Sequence, residues 1–232
     1  MANSILLRDV RPFGNDRTDM LIRDGRIEKI GVDLPGQPDI EDENCEGAIL
    51  LPGLVEAHTH MDKSLWGMGW REHQAGPSLR DKIDTERRLR KEWDIDPHRQ
   101  SMRQALLSLG YGSTAIRSHV DVDTEVKLAG IEGVARTRDE LGGLVDIEIV
   151  AFPQSGLMSR PGTLELLDEA LRGPADVVGG LDPCGIDADP KGHLDAIFDL
   201  ADRHGKPLDI HLHEPGELGA FSMEMILERT HA

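Results

Sequence analysis

The sequence predicts an α/β fold, an incomplete (β/α)8 TIM barrel of about five βα units behind a small N-terminal β-segment. Three observations predict it. Past residue 50, short apolar runs alternate five times with helical stretches, the pattern of a parallel sheet with helical crossovers. The first of these runs ends in His58-Thr59-His60, with no glycine-rich phosphate loop of the kind an open doubly wound sheet normally shows there. Hydrophobic residues make up 38%, yet there are only three Trp, one Tyr and four Phe. The core must therefore be aliphatic, which suits α/β packing better than a β-sandwich.

The elements follow in order. Residues 1–50 form the expected β-segment, with short strands at 4–10, 19–22 and 26–30. Asp24-Gly25 between the last two is a hairpin signal, and Phe13-Gly14-Asn15-Asp16 a turn. Residues 51–232 form the expected barrel part. Its strands are read at 54–60, 113–122, 145–152, 176–181 and 207–213. Helices are read near 79–93, 97–109, 124–141, 163–172, 191–204 and 218–230. Five units call for three more to close an eight-stranded barrel.

Composition excludes several classes of function. A net charge of −17 opposes nucleic acid and anionic membranes as partners. Cys45 and Cys184 have no disulfide or CxxC spacing, so a reduced, cytoplasmic setting is expected. No signal peptide is visible at the N-terminus, and no run reaches the ~18 apolar residues of a membrane helix.

Chemistry concentrates at strand ends. Side chains at i and i+2 share a strand face, so His58 and His60 project together and could bind one metal ion. His211-Leu212-His213-Glu214 repeats the arrangement on the fifth strand. Across a barrel mouth the ends of strands 1 and 5 face one another, and two such motifs are hard to dismiss as polar loop histidines. On the second strand Arg117, His119 and Asp121 share one parity. Inward polar residues are costly unless they serve a site or pair with one another. They therefore form either a structural His–Asp–Arg network or part of a substrate pocket. Gln154, in Phe-Pro-Gln-Ser-Gly at the third strand's end, offers an amide that can donate and accept against an N–C=O edge; alone it reads as a loop residue. Strand four ends in Asp182-Pro183-Cys184-Gly185 without a lysine, which favours one metal over a lysine-bridged pair; Cys184 reads as a small buried residue rather than a ligand.

Taken together these residues resemble the amidohydrolase superfamily, and within it the branch of cytosine deaminase and N-isopropylammelide isopropylaminohydrolase. The matching stretches are LPGLVEAHTHMDKS (51–64), RSHVDVD (117–123), EIVAFPQSG (148–156), DVVGGLDP (176–183) and DIHLHEPG (209–216), in the family's order and spacing. The resemblance implies His58, His60 and His211 as ligands of one divalent metal, Zn or Fe. It implies Glu214 as proton shuttle, His213 as stabiliser of developing charge, and Gln154, Lys63 and His119 toward the substrate. Lys63 and His213 look like the isopropylammelide enzyme and Glu214 like cytosine deaminase, so the substrate stays open between an aminotriazine and a pyrimidine. The family also has a histidine after strand 6 and an aspartate after strand 8, whereas these residues stop at Ala232 after helix 5. A truncated gene product, a fragment of a longer sequence or one half of a split enzyme is therefore expected, with a missing C-terminal half or a homo-oligomer as partner. The rival readings are a catalytically inactive barrel fragment that binds metal or a partner at most, and an open α/β binding domain without metal.

Overall fold

The structure is a computed structural model that describes residues 4–231. The chain divides into two compact units, Met1–Gly53 and Leu54–Ala232.

The first unit is a small sheet of β1 (Ile5–Pro12), β2 (Thr18–Arg23), β3 (Arg26–Gly31), β4 (Glu41–Asn44) and β5 (Ile49–Leu50). β1–β2 and β2–β3 pair antiparallel, while β4 and β5 pair parallel to β1. Asp24 (φ 50°) and Gly25 (φ 74°) turn the β2–β3 hairpin with two positive φ angles, as a type I′ turn requires. Leu6, Leu21 and Leu34 form its core. β4 and β5 carry no sequence signal: Glu-Asp-Glu-Asn is an exposed polar edge, and Arg8 fixes it by donating from Nε to Asp42 Oδ1 at 2.9 Å.

The second unit holds a five-stranded parallel sheet in the order β10-β9-β8-β7-β6. The strands are β6 (Leu54–Thr59), β7 (Ser113–Asp121), β8 (Asp146–Phe152), β9 (Val177–Leu181) and β10 (Leu208–His211). Spatial order follows chain order without reversal, so the doubly wound alternative, which needs a switch in strand order, is excluded. The helices are α1 (Leu79–Glu92), α2 (Pro97–Gly110), α3 (Ala129–Glu140), α4 (Thr163–Arg172), α5 (Pro190–His204) and α6 (Gly216–Thr230). Val120, Ile147, Ile149, Val178, Leu194, Ile197 and Leu200 pack between sheet and helices. β9 is buried throughout, as a central parallel strand should be.

Local chemistry sets the helix starts. Ser78 Oγ accepts from Asp81 N, and Asp81 Oδ2 accepts from Ser78 N, both at 3.1 Å, a capping box that begins α1. Asp96 and Asp189 cap α2 and α5, each with proline next. α3 begins at Ala129 rather than near 124 because Asp123 Oδ1 accepts from Glu125 N (2.7 Å) and Val126 N (2.9 Å), which holds the chain in a turn. Among the described residues no helix is long and apolar enough to cross a membrane.

Candidate metal centre

Parallel strands deliver all their C-terminal ends to one end of the sheet, and the histidines lie there. His58 and His60 flank Thr59 at the end of β6, and Thr59 points the other way, its Oγ1 accepting from Gln104 Nε2 on α2 at 3.1 Å. The alternation of a strand thus sends both imidazoles to the inner face. His119 comes from β7, flanked by buried Ser118 and Val120. His211 is the last residue of β10.

One nitrogen or other donor from each of His58, His60, His119 and His211 lies within 4.8 Å of all the others. His58 Nε2 and His211 Nε2 are 3.0 Å apart, although they belong to the two edge strands of the sheet. Four strand spacings in a flat sheet would separate those edges by about 19 Å. The sheet must therefore curl strongly, as barrel strands do.

Burial and neighbouring charge keep the His60 and His211 rings neutral, the form that binds a metal. Burial, then the Lys63 ammonium, pushes His60 down to about 3. Burial, with His119 and His58 alongside, pushes His211 down to about 4. His60 Nδ1 and both nitrogens of His119 are buried without a hydrogen-bond partner. His119 Nε2 does stand 3.1 Å from Asp209 Oδ1, and this contact is the main cause that holds the Asp209 carboxyl below its usual range. Unpartnered buried nitrogens on converging imidazoles fit a divalent cation, because nitrogen donors at this spacing otherwise leave their lone pairs unmet.

The remaining predicted residues lie around this cluster. His213 follows β10, half its side chain exposed; its Nδ1–H donates to Asp182 Oδ2 at 2.8 Å and its backbone N to Asp182 Oδ1 at 2.6 Å. Asp182 is itself buried and strained into positive φ (33°), so the carboxylate fixes the ring and leaves Nε2 free to act. Glu214 Oε1 accepts from Cys184 N (2.9 Å) and Gly185 N (2.6 Å), and Oε2 accepts from Ser222 Oγ. Gln154 is half-buried just beyond β8, two residues past Phe152, whose ring centre is 4.4 Å from that of His211.

Lys63 sits elsewhere in kind. Its Nζ donates to Glu86 Oε1 at 2.9 Å and to Asp121 Oδ1 and Oδ2 at 3.0 and 3.1 Å, with its side chain 9% exposed. Burial opposes its charge, but Asp121 and Glu86 outweigh that and raise its pKa. Arg90 reaches the same carboxylate of Asp121. The structure thus splits the second-strand trio. Asp121 joins an ion network with Lys63, Glu86 and Arg90. Arg117 bonds Glu148 and Asp209, and His119 turns to the histidine cluster.

Sequence reasoning missed Asp182 as the partner of His213, and Glu86 and Arg90 as the partners of Lys63 and Asp121. Asp209 was findable, since it has the parity of His211 two residues on. Cys184 is outside the converging donors; its Sγ is 3.4 Å from Ser222 Oγ.

No family model matches the chain. It is 33% identical over 217 residues to the N-isopropylammelide isopropyl amidohydrolase of Pseudomonas sp. (strain ADP), covering 91% of this chain and 53% of that protein. The crystal structure of N-isopropylammelide isopropylaminohydrolase from Burkholderia multivorans superposes with a TM-score of 0.92 at 46% identity, over 98% of this chain and 57% of that one. The 5-methylcytosine deaminase of Klebsiella pneumoniae, liganded with 5-fluorocytosine, gives 0.76 at 27% identity over 97% and 55%. The chain thus spans about half the length of the relatives it matches.

Proposed function

The chain belongs to the amidohydrolase superfamily and matches the N-terminal part of its relatives, and from that premise we propose that it carries the metal-binding part of a hydrolase of a non-peptide C–N bond. Its reaction is deamination of a small nitrogen heterocycle, a cytosine-like pyrimidine or an aminotriazine. Residues 1–50 are then the family's N-terminal β-segment and 51–232 its first five βα units, in a cytoplasmic enzyme. The observation that carries the reading is the convergence of imidazoles from β6 and β10 on one point at the strand ends.

His58, His60 and His211 would hold one divalent cation, Zn or Fe. Bound there, such an ion supplies Lewis acidity and makes a water acidic near neutral pH. The other steps belong to the chain's own side chains. Glu214 moves a proton from water to the ring nitrogen and then to the departing amine, work typically worth ~10²–10⁴ in rate. It must first leave the Cys184, Gly185 and Ser222 donors that hold it here. His213, its ring fixed through Asp182, presents Nε2 to the charge that builds on the ring carbon's substituents. Gln154 holds the N–C=O edge of the heterocycle. Lys63 contacts a substrate only by loosening from Asp121 or Glu86.

The test is release of ammonia from cytosine, or of isopropylamine from N-isopropylammelide, by a zinc- or iron-loaded full-length form that supplies the family's later strands with their histidine and aspartate. We expect release that His58→Ala abolishes together with metal binding. Stoichiometric metal in that full-length form with no amine released from any pyrimidine or triazine supplied would refute the hydrolase and leave a metal-binding barrel fragment.

A further inference from the structure

The turn that carries Gln154 is held from both sides. It follows β8 as Pro153-Gln154-Ser155-Gly156 and is closed by Gly156 N donating to Pro153 O at 3.0 Å, which puts Gln154 at its corner. We infer that Asp123 and Asp187 are positioning residues for substrate binding: from the loops after the two neighbouring strands they fix this turn, so that the amide of Gln154 meets the heterocycle already in place. The inference rests on the proposed function, which gives Gln154 the ring edge, and names what sets its position.

β8 lies between β7 and β9, and each neighbour sends one carboxylate. Asp123 stands two residues past β7 and is 3% exposed. Its Oδ2 accepts from Ser155 Oγ at 2.7 Å, while its Oδ1 holds its own loop through Glu125 N and Val126 N. From the other side comes Asp187, in the loop between β9 and α5. Both its oxygens accept from Leu157 N at 3.0 Å, and Oδ1 accepts also from Ser159 N at 3.0 Å and Ser159 Oγ at 2.7 Å. Its Oδ2 is fixed in turn by Nδ1–H of the fully buried His193 on α5, at 2.7 Å. Burial opposes the charge on both carboxyls, yet the donors around them outweigh it and hold each below its ordinary range. Both are therefore charged acceptors at neutral pH, which makes these bonds the strong kind.

The pattern of burial shows what the two anchors leave free. Loops at strand ends are ordinarily the exposed, mobile part of a fold. Here every residue from Ala151 to Leu157 is buried except Gln154. Each anchor falls on a neighbour of Gln154, through Ser155 Oγ, Leu157 N or Ser159, and none falls on its amide. Gly156 serves the same clamp. Its φ is 101°, and a Cβ there would sit 2.2 Å from Ser159 Oγ and 2.8 Å from Asp187 Oδ1, so the chain lies directly against the carboxylate. A side chain that must donate and accept in one plane loses its match when its backbone shifts, so a turn fixed before substrate arrives serves binding.

A double-mutant cycle on amine release by the zinc-loaded full-length form tests this, with N-isopropylammelide and cytosine as probes. Ser155→Ala and Asp187→Asn should each lower kcat/KM about 10- to 100-fold, mainly through KM, with the zinc content unchanged. In a Gln154→Ala background the same substitutions should cost less than about twofold, because the amide they position is gone. A full second loss in that background would give the carboxylates a structural role only and overturn the inference alone, as would a kcat/KM that neither single variant moves. Where Asp187→Asn fails to fold, Ser159→Ala takes its place in the cycle, since it removes one donor from the same carboxylate at an exposed position. A full-length form that releases no amine from any pyrimidine or triazine supplied would overturn the hydrolase, and this inference with it.

Discussion

At the residue scale, carboxylates in this chain act mainly as orienters of other groups. Asp187 shows the rule outside the histidine cluster. Its two oxygens accept from Leu157 N and Ser159 N at 3.0 Å, from Ser159 Oγ at 2.7 Å and from His193 Nδ1–H at 2.7 Å. It thereby ties the loop that carries Gln154 to α5. Burial alone would raise its pKa, but the bonds from His193 and Ser159 outweigh that and hold it well below the usual carboxylate range. A carboxyl depressed in the folded state stabilises at pH values above its unfolded pKa, and that contribution fades as the pH falls through the folded one. Asp187→Asn, which turns an N–H₂ toward a ring of donors, should cost about 1–3 kcal/mol at neutral pH. Urea titrations at several pH values should show the difference shrink as the pH falls below about 4. A constant penalty down to pH 2 would mean that the charge does not matter. Sequence could not show this residue's role, because its partners lie up to 30 positions away. The paired histidines were legible for the opposite reason: i and i+2 on a strand need no tertiary knowledge to be placed on one face.

At the element scale, legibility followed hydrogen-bonding range. The parallel strands and most helices could be read, since apolar period and local caps are set within a few residues. β4 and β5 were not, because their order comes from pairing with β1 and a bond from Arg8 rather than from their own polar residues. β9 illustrates what period alone leaves out. Its Val-Val-Gly-Gly-Leu run reads as an apolar strand, but the two glycines have different duties. A Cβ on Gly179 would sit 2.5 Å from Ala151 O and 2.9 Å from Phe152 Cα, both backbone of β8. On Gly180 it would meet Ile197 Cδ1 at 2.8 Å, His193 Nε2 at 3.2 Å and Ile210 Cγ1 at 3.2 Å, all side-chain ends that can shift. Gly179→Ala must move a strand and should cost about 1–3 kcal/mol or more, while Gly180→Ala should cost less. Chemical denaturation of the two variants checks the order. The reverse ranking would mean that β8 and β9 do not approach as closely as described.

At the scale of the whole second unit, the histidine cluster joins the two edges of the sheet. β6 and β10 are the two edges of its sheet, and His58 and His211 bring them to 3.0 Å through their Nε2 atoms. β6 has little else to secure it on its open side, where Leu54 and Val55 are 54% and 68% exposed. A cation that binds only the folded form stabilises by mass action, about 2.7 kcal/mol at a free concentration 100 times its dissociation constant. For a chain of 232 residues, each kcal/mol moves Tm by roughly 2–4 °C. Zinc at that excess should therefore raise Tm by about 5–10 °C, and a chelator should reverse it. His58→Ala and His211→Ala should each abolish the rise, for either one frees an edge, and a double variant should lose no more than a single one. A rise that survived in both variants would place the cation elsewhere and leave the curl of the sheet to packing alone.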